Sequence, residues 1–143
     1  MEPMTAGYSK RPLAQKLGIK SRQTIAVLNA PANYIELLTP LPEGVTLQFE
    51  LSSNIPFIHF FCSKRAPLEA NLPAMRQALT QNGMIWISWP KKAAKVPTDL
   101  DENIIRELGL ANGLVDVKVA VIDLVWSGLK FVIRVKDRQA SSI

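Results

Sequence analysis

The sequence predicts an α/β fold, a three-layer sandwich built around a mostly parallel sheet. Three continuous apolar runs, at 24–29, 57–62 and 84–89, are too short for core helices and read as strands buried on both faces. Segments with helical spacing separate them, and strands that alternate with helices build βαβ units with right-handed crossovers. A chain of 143 residues is one domain's worth, 1–143, and buries about 70% of its unfolded surface. A hydrophobic share of 48% against 20% charged residues excludes global disorder.

The elements follow in order. A basic N-terminal arm over 1–23 holds one short helix, opened by Pro12 and closed after Leu17 by Gly18. "TIAVLN" (24–29) is the first strand, and "PANYIELL" (31–38) a short helix with Pro31 in its first turn. "VTLQFEL" (45–51) alternates apolar and polar, which predicts a half-exposed edge strand. "FIHFFC" (57–62) is the third strand. Over 66–80, Leu68, Leu72, Met75 and Leu79 form the apolar stripe of a helix, with Pro73 set to kink or restart it. Asn82-Gly83 is expected to turn the chain into "MIWISW" (84–89).

After a basic loop, Thr98 is the expected N-cap of a last helix, with Asp99 and Asp101 near its positive end. Leu100, Ile104, Ile105 and Leu108 make its buried face, and Gly109 its expected stop. "LVDVKVAVID" and "LKFVIRVK" then alternate with period two around Trp126-Ser127-Gly128, a hairpin signature. Residues 137–143 are expected to be a flexible tail.

With the doubly buried runs in the centre and the alternating run on one edge, the predicted strand order is 2-1-3-4-6-5, Rossmann-like, with the C-terminal hairpin antiparallel. One detail resists. Strand six should be internal, yet it carries Lys130, Arg134 and Lys136, so either one of its faces stays open or the order at that edge differs.

Ligands of open α/β sheets bind outside the carboxyl ends of the strands, where strand order reverses. Here that rim is made by "NAPANY", "SKRAP" and "PKKAAKVPTD". The candidate ligand-binding set is therefore Asn29, Lys64, Lys91, Lys92, Lys95 and Thr98, with Arg65 nearby. The lysines supply charge, and Asn29 and Thr98 supply directional hydrogen bonds. Solvated loop charges are the alternative, and Asn29 can equally cap its turn. Trp89 and Trp126 are candidates for stacking a ring, or for core packing.

Several chemistries lack their residues. No G-x-G-x-x-G follows the first strand, and no G-x-x-x-x-G-K-[ST], H-E-x-x-H or G-x-S-x-G occurs. His59, the sole histidine, lies inside a buried strand, and Cys62, the sole cysteine, reads as a small buried hydrophobe. Asp123 reads as a turn residue. No catalytic residue, metal site or cofactor is predicted. The longest apolar runs fall far short of the ~20 residues that cross a bilayer, and no signal-peptide core follows the N-terminus, so a cytoplasmic protein without membrane contact is expected.

The segments "GYSKRPLAQKLGIK", "VLNAPANY" and the series "SWPKK…PTDL…GLVD.K…WSGLKF" together resemble a bacterial family of unknown function, which implies a one-domain cytosolic protein and transfers no catalytic residue. The second half is also similar to class I adenosylmethionine-dependent methyltransferases. A helix ends in "LTQNGMIWISW", the chain closes on an antiparallel hairpin, and the predicted order is theirs less one strand. The glycine-rich cofactor turn of that class is replaced here by "NAPANY", and Glu50 is the one acid near the end of the second strand.

Three functions follow in order of preference. The first is a binding domain that takes a small anionic ligand or a protein partner on its basic rim, consistent with the net charge of +5. The second is a degenerate methyltransferase-type enzyme. Nucleic-acid binding ranks last, because no interleaved aromatic-basic platform is present.

Overall fold

A computed structural model describes residues 11–139; the first part of the expected arm, 1–10, and the end of the expected tail, 140–143, lie outside them. Within them, Thr24–Leu28 (β1), Thr46–Gln48 (β2), Ile55–Phe61 (β3), Leu79–Pro90 (β4), Leu114–Val121 (β5) and Trp126–Ile133 (β6) form one sheet. Its order is β2-β1-β3-β4-β6-β5. The first four strands run parallel and the β5–β6 hairpin joins antiparallel. The α-helices are Leu13–Leu17 (α1), Tyr34–Leu38 (α2), Arg65–Ala78 (α3) and Glu102–Ala111 (α4). The predicted class, strand order and terminal hairpin are the observed ones.

The sheet divides two cores. On one face Leu68, Leu72 and Met75 of α3 and Ile105 and Leu108 of α4 pack on alternate residues of the central strands, including Ile58, Phe60, Ile85, Ile87 and Phe131. On the other, Leu17 of α1 and Tyr34 and Leu38 of α2 cover Ile25, Val27, Phe61 and Trp86. Alternation along doubly buried strands sends successive side chains into different cores. The buried indole of Trp86 donates Nε1–H to Leu17 O at 2.9 Å, so α1 is tied to β4 as well as packed on it.

β6 explains its own lysine. Leu129, Phe131 and Ile133 are buried, while Lys130 opposes Trp86 on one side and Lys118 on the other and is only half-buried. The strand is internal by hydrogen bonding, and its second face stays partly open. Arg134 and Lys136 lie beyond the strand's end.

Several local expectations change. β2 stops at Gln48, whose side chain donates to Glu50 O at 2.8 Å and to Ser52 Oγ at 3.0 Å, turning the chain away from the ladder. Pro73 sits inside a continuous α3, and Leu79 belongs to β4. Asn82 and Gly83 also lie within β4, where pairing with β3 jumps from Ile55↔Leu79 to Phe57↔Met84. The predicted turn is thus a bulge, and a Cβ on Gly83 would come 2.9 Å from Pro56 O. The hairpin turn precedes Trp126: Asp123 Oδ1 accepts from Val125 N at 2.8 Å and Trp126 N at 2.9 Å.

The N-cap of α4 is Asp101, which accepts from Ile104 N at 2.8 Å. Thr98 instead donates to Ser63 O at 2.7 Å. Gly109 does not stop α4, which runs on to Ala111. It is there for contact, since a Cβ would sit 2.1 Å from Phe131 Cε1.

Two effects oppose each other at Gly109. Alanine is favoured over glycine inside a helix by about 1 kcal/mol, whereas overpacking a core costs about 1–3 kcal/mol. At this distance the clash dominates. Gly109→Ala is expected to lower unfolding free energy by about 1–2 kcal/mol in urea titration; an unchanged or raised midpoint would contradict the close α4–β6 contact.

Candidate functional site

At the carboxyl ends of the parallel strands the loops are sewn to one another. Asn29, directly after β1, takes the left-handed conformation (φ 58), and its Nδ2 donates to Phe61 O at 3.3 Å. Asp99 Oδ1 accepts from Arg65 N at 2.7 Å, so the acid expected to serve α4 caps α3 instead. Together with the Thr98–Ser63 bond this closes the loop after β4 onto the loop after β3. Lys91 N donates to Val125 O at 2.8 Å, which brings in the hairpin turn.

Two clefts open on this rim, and Asn29 lines both. The first, about 290 Å³, lies at the strand reversal between Val27, Asn29, Ala30, Pro31, Tyr34 and Phe49. The second, about 300 Å³, is bounded by Asn29, Phe61, Cys62, Lys64, Pro67 and Trp126. Trp126 meets Phe61 edge-on with centroids 5.1 Å apart.

The structure therefore brings Asn29, Lys64 and Trp126 to one cleft. Thr98 lies beside it, with its hydroxyl engaged by Ser63 O and Leu100 N. Lys91 is half-buried, Lys92 and Lys95 are exposed, and these three line neither cleft. Trp89 is buried against the α3/α4 core, so it is no stacking surface. Phe49 was missed. The alternating pattern puts it in phase with Leu47 and Leu51, but β2 ends one residue before it, and the residue is 57% exposed at the first cleft.

Below the first cleft runs a buried polar chain. Tyr34 Oη and His59 Nδ1 are 2.8 Å apart, and His59 Nε2 and Ser88 Oγ are 2.8 Å apart. Burial lowers the His59 pKa to about 3 and raises that of Tyr34, so both stay neutral. The same cause, with the nearby Asp99 charge second, raises the Cys62 thiol to about 12. His59 is thus no proton carrier and Cys62 no ready nucleophile. Among the described residues no group of three or more His, Cys, Asp and Glu is placed to hold a metal ion, and no helix is long and apolar enough to cross a membrane.

No family model and no curated protein matches the sequence, so the resemblance to a bacterial family of unknown function finds no support there. Solved structures do match. A SAM-dependent methyltransferase from Aquifex aeolicus is 12% identical, covers 83% of this chain and 86% of its own, and has a TM-score of 0.59. DhpI, solved as its SAH complex, is 11% identical over 84% of this chain and 81% of its own, with a TM-score of 0.59. LepI, solved with SAH and a substrate analogue, is 12% identical with a TM-score of 0.57; 94% of this chain matches it but spans only 50% of LepI. At these identities the likeness shows the fold, Rossmann-like and of the methyltransferase kind. It also corrects the order of the functional readings: a binding domain for an anionic ligand or a protein partner on the rim gives way to the methyltransferase-like reading.

His59 gives a pH dependence with a definite sign. Its folded pKa is depressed from 6.5 to about 3, so the unfolded chain takes up the proton first. The stability of the neutral, buried ring is complete above the unfolded value and is lost as pH falls from there towards the folded one, by up to about 1.4 kcal/mol per pH unit. Because His59 is the only histidine, the melting temperature should fall between pH 6.5 and 5, before the carboxylates titrate. His59→Gln should flatten that interval. A flat wild-type profile there would contradict the buried neutral imidazole.

Proposed function

We propose that this chain is a degenerate methyltransferase-like protein whose first cleft takes the adenosyl part of S-adenosylmethionine or its demethylated product. The supporting observation is the position of that cleft: it lies at the carboxyl edge of the sheet where β2-β1-β3 reverses, in a fold whose solved neighbours include SAM-dependent methyltransferases.

The residues of the cleft fit that part of the ligand. Asn29 adopts the positive φ that glycine would otherwise provide, so the sharp turn after β1 is made without a glycine. Its side chain is tied back to Phe61 O. Val27, Ala30 and Pro31 form an apolar wall, and exposed Phe49 offers a ring face across the cleft. Pro31 has no N–H, so the turn offers one donor fewer than a glycine-rich loop. Bound there, S-adenosylmethionine supplies a methyl group on a sulfonium, an electrophile that a well-aligned nucleophile attacks directly. The chain's own part is to hold the adenosyl group, exclude water from it and orient what enters the second cleft. Lys64 and Trp126 at that cleft would meet an acceptor through charge and ring contact. The lysines of the loop after β4, Lys91, Lys92 and Lys95, would add only field.

Calorimetry tests this. Heat of binding is expected with S-adenosylmethionine or S-adenosylhomocysteine at millimolar concentration, and Phe49→Ala should weaken affinity about three- to tenfold, in line with loss of one aromatic contact. Absence of heat with both ligands, or full affinity in the variant, would refute the assignment of the cleft.

A further inference from the structure

Away from both clefts, the face of the sheet that carries α1 gathers positive charge. Lys118 and Lys130 stand directly opposite each other across β5 and β6. Lys16 of α1 joins them: its Nζ donates to Val121 O at 2.9 Å, while Lys118 Nζ donates to Lys16 O at 3.0 Å. Lys20, shortly after the helix, lies close enough to Lys130 to act on its charge. Burial, then Lys118, then Lys20 hold the Lys130 ammonium below its usual pKa; burial, then Lys118, then Arg11 do the same to Lys16. Like charges facing each other across an antiparallel pair destabilise a sheet; the backbone bonds of Lys16 and Lys118 tie α1 to β5 but do not neutralise the charge.

We infer that this face is a docking surface for the phosphate backbone of nucleic acid. The four lysines come from α1, the segment after it, β5 and β6, so they make a patch, which suits a repeating polyanion better than a single enclosed phosphate. An acidic protein segment would call for an apolar or aromatic anchor at the centre of contact. Here Trp86 and Ala120 are buried beneath the lysines, and exposed Val119 pairs with Leu129, whose side chain belongs to the α3/α4 core. Exposed Val117, at the register shift beside Lys118, is a single small side chain on the edge strand and not an aromatic anchor. A membrane surface would likewise require apolar side chains to insert. With no exposed ring to stack a base among the described residues of this face, it contacts backbone charge and reads no sequence. The sequence alone ranks nucleic acid last for want of an aromatic-basic platform, and it does not show that Lys118 and Lys130 come together beside α1.

Fluorescence anisotropy on the full chain tests the surface with a labelled single-stranded RNA, a labelled DNA duplex of equal length and a polyglutamate peptide. If all four lysines meet phosphates, affinity for the duplex should fall roughly a hundredfold as salt rises from about 50 to 200 mM. Lys130→Gln and Lys20→Gln should each reduce the slope of log affinity against log salt by about 0.9. Lys130→Gln should leave the melting temperature unchanged or raise it, because it removes a repulsion; a purely structural lysine would lower it. Should that variant misfold, the exposed Lys20 carries the test alone. Three results overturn the inference: no binding of either nucleic acid at low salt, an unchanged slope in the folded variants, or equally tight binding of polyglutamate.

Discussion

β3 runs through the middle of the sheet with both faces buried, and its one polar side chain sets the geometry around it. His59 is sealed from water, so each ring nitrogen must find a partner inside the protein, since a buried unmade hydrogen bond costs about 1–3 kcal/mol. Tyr34 reaches it from α2 and Ser88 from β4. One residue therefore fixes a helix above the sheet and a neighbouring strand beside it. The stretch from Asn29 to Asn33 is then held at both ends, by β1 pairing with β3 and by Tyr34 over His59. The first cleft is the space this leaves under Phe49. A five-residue helix such as α2 has little stability of its own, and this anchoring explains how it keeps a place at the rim.

The architecture was legible because it depends on burial, and burial writes itself into continuous or alternating apolar runs. Strands β1, β3 and β4, the hairpin and their order all follow from those patterns. What was hidden depends on contacts between distant segments. Gly109 has the position of a helix stop, but its role is set by Phe131 on a strand that comes later. Asp99 has the position of a first-turn acid, yet the free N–H it satisfies belongs to Arg65. Trp89 precedes a basic loop and so looks like a rim residue, but alternation along β4 turns it into the α3/α4 core. Phe49 keeps the apolar phase of its neighbours and loses burial only because its strand ends early.

The clefts at the carboxyl rim were legible in the sequence by place more than by lining residue. Of the residues expected at the carboxyl rim, Asn29, Lys64 and Trp126 meet at one cleft. The basic loop drew attention to Lys92 and Lys95, which stand exposed outside both clefts. The missing glycines argued against a cofactor turn, but sequence alone does not show that an asparagine supplies the positive φ. The lysine pair of β5 and β6 appears only once the hairpin register is known. The molecule then has two separate features, an apolar cleft at the strand reversal and a cationic face beside α1, and neither relies on the other.

The central claim is that the first cleft is an adenosyl-ligand site. A titration of isotope-labelled protein with S-adenosylhomocysteine, followed residue by residue in amide NMR spectra, tests it most directly. The account predicts that shifts concentrate at Val27, Asn29, Ala30 and Phe49, with α4 and the β5 edge unmoved. Shifts centred elsewhere on the molecule, or none at saturating ligand, would contradict it.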